Sequence, residues 1–329
     1  MMKIGNFTNV QEFILEGFPA AQHLGKPLFV VHLLLYLVSI MGSIVIVTIT
    51  WADRCLQTPM YFFLSNFSFL ESCFITTVIP KLLAIFLSGM QTISFAACLT
   101  QSFFFLFLGS TCFFLLAVMS LDRYMAICNP LHYHSIMNMR ICFLLVLSCY
   151  ALGFILIIGL ILMVSRLSFC GLNVINHFFC DLGHLVHLSC SDTSTTESLT
   201  FLLSIVIILS SLTITVISYI NIITTIINLP SAKERQKAFS TCSSHLIVLF
   251  LTYGSCVFIY VKPKQSDRLE ANKEAALMNT VITPLLNPFI YTLRNKQVKK
   301  ALRDALYRMK STRQSILDLE RDLTSFKTS

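Results

Sequence analysis

Hydrophobic residues fall into seven long runs that are separated by short polar segments. Each run has roughly 20 residues or more, enough for a helix that rises about 1.5 Å per residue to cross about 30 Å of hydrocarbon. Because lipid offers the backbone no hydrogen-bonding partner, each run is predicted to be a helix. The pattern therefore predicts an all-α membrane protein, a seven-transmembrane helix bundle. The predicted spans are Pro27–Thr50, Pro59–Leu87, Phe95–Leu121, Ile141–Met163, Ser198–Asn228, Phe239–Val261 and Ala275–Leu293.

The composition excludes a water-soluble protein. Hydrophobic residues make up 55% of the chain and charged residues only 12%, whereas soluble domains carry about 25% charged residues. One soluble core could not enclose so much apolar surface. The net charge of +8 is spread over short loops and a tail, so it forms no folded basic face for a nucleic acid.

Residues on either side of the bundle are predicted to form three further segments. Residues 1–26 are predicted to be an extracellular N-terminus. Because they lack an apolar run followed by a small-residue cleavage site, we expect no removable signal peptide. Residues 27–293 form the bundle, and residues 294–310 are predicted to be an amphipathic helix on the membrane surface. Residues 311–329 are predicted to be a disordered cytoplasmic tail. The apolar stripe of the amphipathic helix is Val298, Ala301, Leu302, Ala305, Leu306 and Met309.

The distribution of Lys and Arg predicts the orientation of the bundle. One side of the seven spans holds 16 of these residues and the other holds seven, with Lys81 near a span end. The side richer in Lys and Arg is normally cytoplasmic. We therefore expect an extracellular amino terminus and a cytoplasmic carboxyl terminus. Asn6 begins an Asn-Phe-Thr glycosylation pattern on the predicted outer side.

Four of the 12 cysteines map to the predicted outer side, where disulfides form. Four cysteines allow three pairings, and sequence arithmetic alone does not choose among them. The spacing suits a local bridge from Cys170 to Cys190 within the second outer loop. Cys180 would then join this loop to Cys98 at the start of the third span.

The same loop contains His177, His184 and His187 beside Cys180 and Asp181, which is a set of metal-binding side chains. A cysteine in a disulfide cannot also be a thiolate ligand, and loop histidines are usually just solvated. We therefore expect no metal here and no cofactor elsewhere in the chain.

Ionisable residues inside a span are costly and suggest function. Glu71 lies in the middle of the second span, either as a protonated packing residue or as a weak cation site. Asp122 and Arg123 lie at the inner end of the third span, directly after Leu121. They are predicted to form an ion pair within reach of a cytoplasmic partner. In the seventh span, Pro284 and Pro288 delete backbone hydrogen bonds, so this helix is predicted to bend.

Several longer motifs resemble those of vertebrate olfactory receptors of the tetrapod-type class II, a branch of the rhodopsin-like G-protein-coupled receptors. The resemblance covers nearly the whole chain up to about Lys310. The motifs are Thr58-Pro59-Met60-Tyr61-Phe62-Phe63-Leu64-Ser65-Asn66, Met119-Ser120-Leu121-Asp122-Arg123-Tyr124-Met125-Ala126-Ile127-Cys128, Pro130-Leu131-His132-Tyr133, Lys237-Ala238-Phe239-Ser240-Thr241-Cys242-Ser243-Ser244-His245-Leu246 and Tyr291-Thr292-Leu293-Arg294-Asn295.

The resemblance implies a mechanism as well as a fold. A small volatile odorant would bind inside the bundle, and a stimulatory olfactory-type G protein would raise cyclic AMP at the plasma membrane. Arrestin and receptor kinases are implied as further partners, and the Cys98–Cys180 bridge is implied as well. The implied ligand-binding residues are Phe105, Leu106, Gly109, Ser110, Leu203, Ile207, Tyr253, Val257 and Tyr260. The implied coupling residues are Asp122, Arg123, Tyr124, Tyr219, Asn287, Pro288 and Tyr291.

The chain departs from the family pattern at four positions. Ser43 replaces the usual Asn of span one, Glu71 replaces Asp, Cys112 stands where Glu is common, and Leu121 replaces the Tyr before Asp122. With one carboxylate left, a two-carboxylate sodium site is not expected.

Two other functional classes fit the sequence less well than a receptor. A transporter lacks support, because the chain shows no internal repeat or paired broken spans. An intramembrane enzyme with Ser110 as nucleophile and His245 as base conflicts with the different predicted depths of these two residues. We therefore expect a receptor and not an enzyme.

Overall fold

Long helices that lie side by side make up most of the structure. The structure is a computed structural model that describes residues 10–18, 23–170, 173–261, 273, 276–277, 286–287, 290, 297–304 and 307, with the backbone alone for residues 237, 241 and 257–261. Five helices in this part of the chain are long and apolar enough to cross a membrane. They are α1 (Gly25–Ala52), α2 (Pro59–Ser88), α3 (Phe95–Cys128), α5 (Met139–Val164) and α7 (Ser194–Asn228).

Three further α-helices are described, together with a short 3-10 helix (Arg54–Leu56) between α1 and α2. The short α4 (Pro130–Ile136) follows α3, and α6 (Leu182–His187) lies in the loop before α7. The sixth predicted span lies within α8 (Ala232–Val261), which includes the apolar stretch Cys242–Cys256. The described residues of the seventh predicted span are all helical, namely Ala276, Leu277, Leu286, Asn287 and Ile290.

Local sequence determines where several helices begin and end. Pro59 begins α2, where its missing N–H removes no helical hydrogen bond. Ser94 and Asn138 accept hydrogen bonds from the first turns of α3 and α5. Gly89 ends α2 in the left-handed conformation at φ 66°, which only glycine adopts readily.

Buried side chains form one large cluster towards the α3–α4 end of the bundle and two clusters towards the other end. Val298 and Ala301 of the predicted amphipathic helix are buried in the large cluster, and the Tyr61 hydroxyl donates to Gln297 Oε1 at 2.7 Å. Part of the apolar stripe that the sequence assigned to lipid therefore packs against α2 and the bundle.

A small sheet caps one end of the bundle, a feature that the sequence did not predict. Its central strand β1 (Glu12–Leu15) is antiparallel to β2 (Thr92–Ser94) and parallel to β3 (Val174–Ile175). Phe13 and Leu15 of β1 are fully buried against α3 and the loop after α5. Strand β1, which precedes the first span, is thus packed into the fold between two loops.

Candidate functional site

An ion pair lies at the end of α3 that is distant from the sheet. Because α3 continues past its apolar run to Cys128, Asp122 and Arg123 are on the helix, where they are 1% and 7% exposed. Arg123 donates from Nε to Asp122 Oδ2 at 3.1 Å, and also from Nη2. On α4, the Tyr133 hydroxyl donates to Asp122 Oδ1 at 2.7 Å. Both carboxylate oxygens therefore have partners, as a buried charge requires.

Tyr133 is held as a hydrogen-bond donor by its surroundings. Burial raises the pKa of Tyr133, and the neighbouring Asp122 carboxylate raises this pKa further. The hydroxyl stays protonated at physiological pH and links α4 to α3. Tyr124, half-buried, packs against the large cluster one residue after the ion pair.

A second polar contact joins α7 to α8 in the same half of the bundle. The Tyr219 hydroxyl and His245 Nδ1 are 2.8 Å apart, and both side chains are buried.

Ser110 donates to the Phe107 carbonyl at 2.9 Å. Ser110 and His245 thus have different partners, and no nucleophile–base pair links them.

Glu71 pairs with an amide across the bundle. Asn287 Nδ2 donates to Glu71 Oε1, and both side chains are buried. Among the residues that the structure describes, no three His, Cys, Asp or Glu side chains form a group able to hold a metal ion. Pro288 and Tyr291 lie outside the described residues.

The implied ligand-binding residues are distributed over all three hydrophobic clusters. Phe105 lies 4.6 Å from Phe179 and 4.9 Å from Phe74 of α2, measured between ring centroids. Phe179 belongs to the loop between α5 and α7, which is the predicted second outer loop. Leu106, Leu203 and Ile207 belong to the cluster beneath the sheet. Tyr253 joins the large cluster, where its ring is 5.5 Å from Phe113. The side chains of Val257 and Tyr260 lie outside the described residues.

Gly109 and Ser110 face different neighbours. A Cβ added at Gly109 would lie 3.5 Å from the Phe74 ring on α2. A Cβ at Gly153 of α5 would lie 3.1 Å from Ser110 Oγ and 2.6 Å from Thr111 Oγ1. Ser110 therefore packs on α5, at the side of α3 where Gly153 allows a close approach.

Two disulfides fasten the second outer loop. Cys98 of α3 is bonded to Cys180, with Cα atoms 5.4 Å apart, and Cys170 is bonded to Cys190, with Cα atoms 5.8 Å apart. Ser102 donates to the Cys180 carbonyl at 2.6 Å, and the Cys180 N–H donates to Gln101 Oε1 at 2.9 Å. Cys180 is therefore no thiolate ligand for the loop histidines.

His177 of this loop is buried between aromatic rings. Its ring centroid lies 4.6 Å from that of Phe178 and 4.4 Å from that of Phe179. Burial lowers the pKa of His177 to about 4, so the imidazole is neutral at physiological pH. The nearby Asp181 instead pairs with His184, at 2.8 Å between Oδ2 and Nδ1.

Sequence reasoning missed several residues that the structure places beside the predicted ones. Phe74, Phe113 and Phe179 surround Phe105 and Tyr253, but in a chain with 28 Phe their positions carry no distinct pattern. Gln101 lies one turn after Cys98, and this spacing is the signal that could have linked it to the same loop.

Comparisons with known proteins agree with this arrangement. The family model described as olfactory receptor matches residues 32–309. The human olfactory receptor 6C75 is 48% identical over 304 residues, which cover 92% of this chain and 97% of the relative. The human olfactory receptor 6C4 is 50% identical over 301 residues, which cover 92% of this chain and 97% of the relative.

A solved structure is similar in fold. The crystal structure of squid rhodopsin superposes with a TM-score of 0.70 at 18% identity, covering 88% of this chain and 82% of that chain. The fold is therefore the seven-helix bundle of the rhodopsin-like receptors. Since the family model and the relatives each span most of the sequence, the chain belongs to the olfactory receptor family, as a multi-pass odorant receptor of the plasma membrane and not an enzyme.

Proposed function

We propose that the protein binds a small volatile odorant inside the helix bundle and activates a stimulatory olfactory-type G protein, which raises cyclic AMP. The observation that carries this proposal is the buried Asp122–Arg123 pair, which Tyr133 ties to α4 at one end of the bundle. Arrestin and receptor kinases are proposed to act at the same end.

The proposed ligand site extends from the cluster beneath the sheet to Tyr253 in the large cluster. It comprises Phe105, Leu106, Gly109 and Ser110 on α3, Leu203 and Ile207 on α7, and Tyr253, Val257 and Tyr260 on α8. This set is mostly apolar with a few hydroxyl groups, which suits a small volatile ligand. The rings of Phe179 and Phe113 support it, because they contact Phe105 and Tyr253.

The proposed switch consists of two polar contacts between helices. One is the Asp122–Arg123–Tyr133 contact, and the other is the Tyr219–His245 hydrogen bond. Moving α8 relative to α7 would break the Tyr219–His245 contact, and moving α4 relative to α3 would break the other, as in a two-state bundle. Tyr124, Asn287, Pro288 and Tyr291 are proposed to take part by their position in the family motifs.

The proposed orientation places the sheet and the disulfides outside the cell. Both disulfides lie at the sheet end, and disulfides persist in oxidising compartments. The opposite end carries the excess of Lys and Arg, which is typical of the cytoplasmic side. We therefore propose an extracellular amino terminus, with Asn6 as a glycosylation site, and a cytoplasmic carboxyl terminus. Asn6 itself lies outside the described residues.

The proposal is tested in cells that express the receptor with an olfactory G protein and a cyclic AMP reporter. A broad odorant panel is expected to include an agonist, and Arg123→Ala is expected to abolish its response, because the buried carboxylate loses its charged partner. An antibody against an N-terminal tag on intact cells measures surface level and orientation. Arg140→Ala is the matched control, since Arg140 is exposed beyond the ion pair.

Two outcomes would contradict the proposal. In the first, Arg123→Ala responds like the parent receptor at equal surface level. In the second, an odorant drives ion flux in cells that lack G protein, which would indicate a channel.

A further inference from the structure

A cavity of about 370 Å³ lies at the outer ends of α1 and α2. Its walls include Glu16 and Phe18 from the N-terminal segment, Gly25 from α1, Phe86 from α2 and Gln91 from the following loop. None of these residues belongs to the proposed odorant site. The volume lies within the range of small-molecule sites, near its lower end.

Backbone geometry shapes this cavity. A Cβ at Gly25 would lie 2.8 Å from the Phe86 carbonyl oxygen, so α1 begins directly against the end of α2. Gly17 and Gly89 both have left-handed backbones, at φ 63° and 66°, which turn the chain on either side. A side chain at Gly25 would therefore clash with α2, and a side chain at Gly17 or Gly89 would strain the backbone that forms the cavity walls.

The polar groups that line the cavity favour a positively charged ligand. The Glu16 side chain is 40% exposed, so much of its carboxylate is accessible. Gln91 Nε2 donates to the Glu16 carbonyl at 3.3 Å, which leaves its side-chain oxygen as an acceptor. The cavity also adjoins the carboxyl end of α2, an end of a helix that attracts cations. The Lys81 ammonium near this end donates to the Met90 and Thr92 carbonyls, at 3.0 and 2.6 Å, and does not line the cavity.

Aromatic rings provide the apolar part of the site. Phe18 and Phe86 stack with centroids 6.5 Å apart and planes inclined by 21°. Phe18 also stacks on Phe178, which fixes its position. Ring faces attract organic cations. From these groups together, we infer that the cavity is a second, outer ligand site that takes a small organic ammonium ion with an apolar substituent.

Lys273 contacts the Glu16 carboxylate and therefore competes with such a ligand. Its Nζ lies 3.6 Å from Glu16 Oε2 and donates to the Gly17 carbonyl at 3.1 Å. Lys273 therefore contacts one side of the carboxylate and leaves the other accessible. Removing its charge is expected to strengthen binding of an ammonium ion, whereas removing the Glu16 charge weakens it.

The site is tested by titrating benzylamine into the purified full-length receptor in lipid nanodiscs, which requires neither agonist nor G protein. We expect saturable binding to the parent receptor, about tenfold weaker binding for Glu16→Gln, and tighter binding for Lys273→Gln. Glu12→Gln is the matched control, because Glu12 is an exposed acid of the same segment that does not line the cavity. Benzyl alcohol, which lacks the charge, is expected to bind at least tenfold more weakly than benzylamine.

A cavity-filling variant covers the case in which Glu16→Gln fails to fold. Ile85 also lines the cavity, and Ile85→Phe is expected to abolish benzylamine binding with all charges intact. Equal binding by the parent receptor and Ile85→Phe, equal affinity for benzylamine and benzyl alcohol, or no benzylamine binding at all would each overturn the inference.

Discussion

Cys98 and Cys180 are buried at the junction of α3 and the second outer loop. Changing either one to Ser is expected to lower surface expression to a similar extent, because each change breaks the same bond. Closing a loop of this size stabilises a fold by about 3 to 5 kcal/mol. The double change is expected to add little to either single change, as measured by flow cytometry of tagged receptor. Cys55→Ser, at an exposed free cysteine, is the control, and clearly additive losses would argue against the pairing.

His177 makes stability depend on pH. Its pKa is about 4 in the folded protein and about 6.5 when exposed, so the unfolded chain binds the proton more tightly. The contribution of neutral His177 to the free energy of unfolding is therefore fully present above pH 6.5. It is lost as the pH falls towards 4, which lowers the free energy of unfolding by up to about 3 kcal/mol. The groups that act on this pKa are Asp181, His184 and Lys273.

This prediction is checked by thermal unfolding of the purified receptor between pH 7.5 and 4.5. The melting temperature of the parent receptor is expected to fall over that interval, and His177→Gln is expected to reduce the fall. His23→Gln, at an exposed histidine, serves as the control. The same pH dependence in His177→Gln and the parent receptor would contradict the assignment.

Individual residues were easier to predict from sequence than their partners were. The adjacency of Asp122 and Arg123 predicted their pairing. Tyr133 was not predicted to contact this pair, because its hydroxyl reaches Asp122 only through the way α4 packs against α3. Glu71 stood out as a carboxylate in an apolar run, but its partner Asn287 lies 216 residues away. Such contacts depend on how the helices pack, and a single sequence does not contain that information.

Close contact between α3 and α5 depends on Gly153. Alanine at this position would place its Cβ 2.6 Å from Thr111 Oγ1 and 3.3 Å from the Phe107 carbonyl. Gly153→Ala is therefore expected to destabilise the receptor by about 1 to 3 kcal/mol through overpacking. Gly159→Ala on the same helix, where a Cβ meets nothing within 4 Å, is expected to be neutral or slightly stabilising.

Melting temperatures of the two glycine variants distinguish a packing effect from a propensity effect. Thr111→Ala combined with Gly153→Ala is expected to recover part of the loss, because the nearest atom is removed. Equal stability of the two single variants would show that the helices are not closely packed at Gly153.

At the scale of elements, the hydrophobic pattern predicted where the helices are but not their full lengths. The third span was predicted to end at Leu121, and α3 continues to Cys128. Hydropathy reports the part of a helix that lipid surrounds, whereas the backbone hydrogen bonds of α3 continue through the polar residues after Leu121. The helix ends at Asn129, directly before Pro130. The three short strands were not predicted, because each pairs with residues distant in sequence.

Across the whole molecule, large apolar side chains lie on the outer faces of the helices. Exposed examples on three helices are Leu34 and Met41 of α1, Phe143 and Ile155 of α5, and Phe201 of α7. In water such surfaces would cause aggregation, but in a bilayer they face hydrocarbon. The composition therefore predicted correctly that the protein lies in a lipid bilayer. The buried polar contacts occur where helices pack against each other.

The position of β1 between two loops constrains the order in which the receptor is completed. Glu12–Leu15 precedes α1 in the chain, yet Leu15 lies opposite Ile175, so its parallel partner does not exist until α1 to α5 have been made. Until then Phe13 and Leu15 have no complete apolar surface to cover them. A strand that is translated before α1 is thus fixed only after α5, and a receptor whose synthesis is interrupted between them would present this segment to chaperones.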